Sequence, residues 1–288
     1  MSDRFSKYHP LTNFIFFTTI TLITVLSLHP AVLCVSFAGA FIYGVVLNGF
    51  VKTLKSALCF ALPIALLTAV INPLFNHYGV TVLFFLPGGN PFTLETVLYG
   101  LSSGLMMASI VMWFICISKV MTSDKYICLI GNAFPHAALL ISMIMRFVPL
   151  FDRQRRKIKS ARQCVGQCGG ESLTNLSILT TWALENNVHI ADSMISRGYG
   201  SGRRTFYGIY TFKKRDVFAL LYMTLFALIY LTGCLCGVFK ASYDPIINVS
   251  LNVNMIPGIT ALLLFSLYPI IINLKEYIFV HSHKQSRP

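Results

Sequence analysis

The sequence predicts an all-α polytopic membrane protein, with about six transmembrane helices plus long cytoplasmic amphipathic helices. Three observations carry that prediction. Hydrophobic residues make up 55% of the 288 positions and charged residues only 11%, with a mean hydropathy of +0.68; a soluble domain is usually about 25% charged. The apolar residues come in continuous runs, not in the alternating ten-residue strands of a membrane β-barrel. Basic residues fall almost entirely on one side of the spans that those runs define.

A span needs roughly 20 apolar residues. Candidate runs lie at 12–28, 31–50, 56–75, 93–118, 217–239 and 256–274. His29 and Pro30 separate the first two, which are both short. Positions 76–92, NHYGVTVLFFLPGGNPF, read as a loop with a short apolar dip. Thr93 is predicted to N-cap the next helix, which places Glu95 in its first turn, where the helix dipole favours an anion. A carboxylate at the membrane is otherwise a functional suspect. The run YICLIGNAFPHAALLISMIM at 126–145 is interrupted by Gly131 and Pro135. It is expected to be interfacial, or packed beneath the bundle without crossing, because a crossing would carry the basic segment after it to the other side. The polar start, Met1–Pro10, leads into an apolar run with no small-residue cleavage site before more membrane follows, so no cleavable signal peptide is expected.

With the N-terminus inside, the inside segments are 1–11, 51–55, 119–216 and 275–288. They hold 22 of the 23 basic residues and leave only Lys240 outside. Both termini are therefore expected to be cytoplasmic. The net charge of +13 is then accounted for by topology and needs no nucleic-acid partner. Three segments follow: N-terminal transmembrane helices over 1–125, an interfacial and cytoplasmic region over 126–216, and C-terminal transmembrane helices with a tail over 217–288. The eight cysteines are scattered. The close pairs, Cys164 with Cys168 and Cys234 with Cys236, lack a second pair or histidines at ligand spacing, so no metal site and no cofactor are expected.

Between Arg146 and Asp216 there are thirteen basic and five acidic residues. Met143, Phe147, Phe151, Gln154, Ile158, Ala161 and Val165 recur at helical spacing, opposite Arg153, Arg155, Arg156, Lys157 and Lys159. Pro149 suits a first helical position, which predicts a helix over 149–166 ended by Gly166 or Gly169. A second helix is predicted from Glu171 to Arg197, with Leu184, Val188, Ala191 and Ile195 as its packing stripe and Gly198 at the left-handed position beyond its end. Cationic amphipathic helices of this kind serve either as a raft on anionic lipid or as a platform for protein partners. The stretch ADSMISRGYGSGRR at 191–204 favours the platform. A raft needs no particular residue where a helix stops, whereas Arg197 offers a rigid fork of donors beside glycines that admit a close surface.

Three stretches in order, NPLFNHYGVTVLFFLPGGNPFTLETVLYG, RFVPLFDRQRRKIKSARQCVG and WALENNVHIADSMISRGYGSGRRT, resemble the transmembrane T component of energy-coupling factor (ECF) transporters, the CbiQ-like family. The resemblance spans about 70–276. It implies a non-catalytic scaffold subunit of an ABC-type importer in a bacterial or archaeal cell membrane, taking up a vitamin or a metal ion such as cobalt. The implied partners are two cytoplasmic ABC ATPase subunits, a substrate-binding membrane S component and the lipid. Two coupling helices of such a subunit end in Ala-Arg-Gly-like motifs that dock on the ATPases. Here the second motif reads Ser196, Arg197, Gly198, with serine where alanine is usual. Aligned by its glycine, the first reads Cys164, Val165, Gly166, with valine where arginine is expected. Either Arg162, one turn earlier, substitutes, or this end works by packing and position alone. The residues themselves leave two other classes. A stand-alone secondary transporter would carry ionisable groups in mid-bundle, and the spans offer only Glu95 at an end. A membrane enzyme would need a catalytic set. His189 and Asp192 lie three apart without a nucleophile, the tail HSHKQ reads as an exposed polar end, and no phosphate-binding loop occurs.

Overall fold

The structure, a computed structural model, describes residues 3–76, 79–85, 91–166, 172–199, 202, 210–239, 241–243, 248–249 and 253–285. The chain divides into two units, one formed by residues 1–122 with 210–288, the other by 123–209.

The first unit is a helical bundle that the two ends of the chain build together. After a 3-10 turn at Phe5–Lys7 come α1 (Pro10–Leu26) and α2 (Pro30–Asn48), each begun by proline in the first turn and preceded by a histidine at the cap. One residue, Gly49 at φ +84°, turns the chain into α3 (Phe50–Ser56). The expected inside loop 51–55 is therefore helical. A π-helical segment, Ala57–Ala61, joins α3 to α4 (Leu62–Phe75). The wider turn stands where Pro63 has no N–H to give and would otherwise crowd the carbonyl of Cys59. Strands β1 (Val82–Phe85) and β2 (Pro91–Thr93) pair antiparallel, so the expected loop holds a short hairpin; its tip, 86–90, lies outside the described residues. α5 (Leu94–Val120) follows. The return segment holds α9 (Lys214–Leu235), the two-residue strands β3 (Ala241–Ser242) and β4 (Asn248–Val249), and α10 (Ile256–Gln285). Among these, five helical stretches are long and apolar enough to cross a membrane, and the 17-residue α1 is a shorter apolar helix. The six apolar runs of the sequence are thus six helical stretches, and the protein is an all-α polytopic membrane protein.

An aromatic cluster fills the bundle. Phe5, Phe16, Phe17, Tyr43, Trp113 and Phe265 are each at most 1% exposed, and Phe16 stacks on Phe265 with centroids 5.2 Å apart. One buried polar chain ties three helices together: Trp113 Nε1 donates to Ser36 Oγ at 3.1 Å, and Ser36 Oγ is 2.7 Å from Thr24 Oγ1. α4 lies close against α5 because Gly100 and Gly104 leave room for it. A Cβ at Gly104 would stand 2.5 Å from the Ala65 carbonyl oxygen, and one at Gly100 2.8 Å from that of Ala69. At the end of the bundle near the N-terminus, the buried Asp216 joins two chain segments. Its Oδ2 accepts from Lys213 N at 2.9 Å and its Oδ1 from His9 N at 3.1 Å. Arg215 reinforces the clasp, donating to the Lys7 carbonyl at 3.1 Å and lying 5.0 Å over the Tyr8 ring.

The second unit consists of α6 (Ser123–Ala133), α7 (Pro135–Cys164) and α8 (Ser172–Ser196). The run 126–145 is split between α6 and the first part of α7. The helix predicted to begin at Pro149 begins instead at Pro135, which takes the first-turn position, and Pro149 lies inside. Ten residues rich in leucine, isoleucine and methionine stand ahead of Pro149 and hold the helix through the one lost hydrogen bond.

Candidate functional site

The candidate docking residues all belong to the second unit. α7 turns its half-buried side, Met143, Phe147, Phe151 and Gln154 with the buried Ile158, inward. The next residue in that row is Arg162, not Ala161, which is exposed with Val165. Phe151 meets Trp182 edge-on at 6.0 Å, and Arg162 Nη1 donates to Asn175 Oδ1 at 2.7 Å. The later residue of α7 pairs with the earlier residue of α8, so the two helices run in opposite directions. Arg162 is therefore engaged inside the unit, where it ties the end of α7 to the start of α8.

Both helices run into a glycine in the left-handed region. α7 stops at Cys164; Val165 caps it, 77% exposed, and Gly166 follows at φ +79°, donating to the Gln163 carbonyl at 3.1 Å. α8 stops at Ser196; Arg197 caps it and Gly198 follows at φ +75°. Gly198 N donates to the Ile195 carbonyl at 2.9 Å and Tyr199 N to that of Met194 at 3.0 Å, the two bonds of a Schellman end, in which the left-handed residue is glycine because a Cβ would be strained there. Ser196 Oγ turns back to the Ser193 carbonyl at 3.0 Å. Arg197 is exposed, and among the described residues its guanidinium makes no hydrogen bond or ion pair. Val165 and Arg197 hold equivalent positions, one apolar and one cationic.

The expected packing stripe of α8 is not the side that this helix turns to α7. Leu184, Val188, Ala191 and Ile195 form one row, but all four are exposed, at 69% for Leu184 and 72% for Ile195. The half-buried row is Asn175, Leu179, Trp182, Asn186, Ile190 and Met194. Trp182 outweighs the smaller residues of the other face, and Asn175 is drawn in by Arg162. Neither asparagine carries a hydropathy signal, which is why the inner row was missed. On α7, Asp152 accepts from Arg156 at 2.6 Å and Arg155 at 3.3 Å, and these guanidiniums hold its carboxyl below the usual carboxylate range. Glu171, Cys168, Gly169, Arg203 and Arg204 lie outside the described residues, as does Lys240.

Glu95 lies in the first unit, in the first turn of α5 as expected. Thr93 holds the N-cap position, but its hydroxyl sits 3.0 Å from that of Thr96 and makes no cap bond to the helix. Glu95 is only 4% exposed; its Oε1 accepts from Thr81 Oγ1 at 2.7 Å and Thr81 N at 3.2 Å. The partner Thr81 was beyond sequence reading, since it lies across the hairpin.

Against known proteins, no protein-family model matches the chain and no curated protein matches it.

Proposed function

We propose that the chain is the transmembrane scaffold subunit of an ECF-type importer, the T component, which passes the movements of two partner ATPases to a substrate-binding membrane subunit for uptake of a vitamin or a metal ion. The observation that supports this reading best is the pair of glycine-closed helix ends on antiparallel helices. From Asn175, beside the end of α7, to Arg197 is 22 residues of helix, roughly 33 Å at ~1.5 Å per residue. Two like ends at that spacing suit two like partners, one at each end. Arg197 is the directional contact, a guanidinium at a helix C-terminus with no partner among the described residues. Val165 serves the first end by shape, and Arg162 supports it from within. The exposed row Leu184, Val188, Ala191 and Ile195 is left for a surface other than α7. In this reading the unit faces the cytoplasm together with both termini, the subunit hydrolyses no ATP, and it works in a cell membrane.

The test is co-purification of the ATPases and transport by the assembled complex. Truncating a desolvated, hydrogen-bonded arginine at an interface costs about 2–5 kcal/mol, a loss of roughly thirty- to several-thousand-fold in affinity. Arg197→Ala is expected to lose the ATPases while insertion and S-component binding survive, and Arg153→Ala, on the exposed face of α7, to retain them. Near-native recovery and transport from both variants would refute the docking role. The orientation is tested separately by labelling single cysteines: Ser242→Cys is expected to react from outside and Ser282→Cys only from inside, and external labelling at 282 would refute it.

A further inference from the structure

A cavity of about 430 Å3 opens among Leu28, Asn76, Glu95, Thr96, Tyr99 and Tyr243. It lies within the first unit, where α1 and α4 end and α5 begins, at the opposite end of the bundle from the Asp216 clasp. Its chemistry is one-sided. Glu95 is only 4% exposed; Thr81 supplies two donors to Oε1, and Oε2, lying against Gly79, has no hydrogen-bond partner among the described residues. Two donors on one oxygen hold a negative charge there, and a buried carboxylate oxygen left bare is costly unless a cation or donor meets it. Asn76 spends its Nδ2 on Asn72 Oδ1 at 3.1 Å, which leaves its Oδ1 as a second acceptor. The walls are aromatic. Tyr99 and Tyr243 meet edge to face at 5.7 Å, and Tyr243 is fixed by its hydroxyl, 2.8 Å from Ser102 Oγ and 3.3 Å from the Leu28 carbonyl.

We infer that this cavity binds the head group of a small organic ammonium ion. The Glu95 carboxylate is the counter-charge, Asn76 Oδ1 a further acceptor, and the Tyr99 and Tyr243 rings are the walls. A ring within about 6 Å attracts a cation through its quadrupole. A metal ion fits poorly: among the described residues no group of three His, Cys, Asp or Glu side chains is placed to hold one. Gly79 guards the arrangement at φ +112°, where a Cβ would stand 2.4 Å from Glu95 Oε2. The inference is independent of the docking reading, because it concerns the bundle alone.

The experiment is titration of the purified full chain in detergent with n-butylammonium chloride, followed by calorimetry and by thermal stabilisation, with sodium chloride at equal ionic strength as reference. Saturable stabilisation by the ammonium over sodium is expected, weakened at least about tenfold in Glu95→Gln, a cost of about 1.4 kcal/mol. Tyr99→Leu, which leaves the Thr81–Glu95 contact in place, is expected to weaken binding as well and covers the case in which Glu95→Gln folds poorly. Equal stabilisation by sodium and n-butylammonium, or equal binding by wild type and both variants, would overturn the inference. So would carbodiimide coupling of Glu95 to a lysine of a membrane partner in the assembled complex, which would make the occupant a side chain.

Discussion

Gly104→Ala sets two opposite effects against each other at one position. Inside a free helix the change is favourable by about 1 kcal/mol, because alanine loses less backbone freedom than glycine. In this bundle the new Cβ would stand 2.5 Å from the Ala65 carbonyl oxygen, roughly 0.9 Å inside the 3.4 Å at which ordinary contact begins. The obstacle is backbone, so it cannot rotate aside, and α4 has to move away from α5. That separation also stretches the bond from Asn72 Nδ2 to Ser103 Oγ, now 2.7 Å. Overpacking of this kind costs about 1–3 kcal/mol, so destabilisation wins by up to about 2 kcal/mol after the propensity gain. Gly100→Ala, with 2.8 Å to the Ala69 carbonyl oxygen, is expected to cost less. Ser118→Ala, on an exposed position of the same helix, is the control and is expected to be neutral or slightly stabilising. Thermal unfolding of the three variants in one detergent measures the order. A raised Tm for Gly104→Ala would mean that propensity alone decides, and would refute the close approach of α4 and α5.

The Asp216 clasp yields two further expectations. Asp216→Ala leaves the N–H groups of His9 and Lys213 without their buried acceptor, at about 1–3 kcal/mol for each orphaned group. Asp216→Asn keeps one acceptor oxygen and is expected to lose about half as much; equal Tm values for Ala, Asn and wild type would remove the clasp from the fold. His9 predicts a pH dependence. Burial holds its imidazole below the ordinary value of 6.5, with the Asp216 carboxylate acting in the opposite direction, and its Nδ1 accepts from Leu11 N at 3.3 Å. The unfolded chain takes up this proton first as pH falls, so the stability from the neutral cap is fully present above about 6.5 and is lost below it, through the lowered folded value. His9→Asn, which keeps an acceptor for Leu11 N, is expected to flatten that part of the Tm–pH curve between about pH 7.5 and 5.5; an unchanged slope would refute the assignment.

What could be read from one sequence follows from what is local. Apolar runs near 20 residues mark spans whatever they pack against, so all six helical stretches were readable. Gly198 and Gly166 were readable as helix ends because a left-handed residue singles out glycine on its own backbone. The misses are all questions of partnership. The residues Val82–Phe85 look like a dip into membrane, and only the pairing with Pro91–Thr93 makes them a strand. Pro149 satisfies the rule for a helix start, but so does Pro135, and the strength of the helix formers between them decides. Gly100 and Gly104 are four apart on α5, a spacing that admits a neighbouring helix without saying which; α4 answers through the carbonyls of Ala65 and Ala69.

The two candidate arginines show the same division at the site itself. A period of 3.6 residues from Ile158 lands between Ala161 and Arg162, so hydropathy assigns the inner place to alanine. The asparagine across on α8 reverses that choice: an amide oxygen at 2.7 Å from Arg162 Nη1 makes arginine the better inward residue, with its aliphatic stem along the apolar row and its charge met by Asn175. Arg197 has no such neighbour among the described residues. It caps a tightly closed helix end, where the favourable dipole contributes only about 0.3–1 kcal/mol, too little to account for an arginine that no described residue of its own unit uses. The difference between an arginine spent inside and one left outside is therefore the physical ground on which the proposed directional contact falls to Arg197 and the proposed supporting part to Arg162.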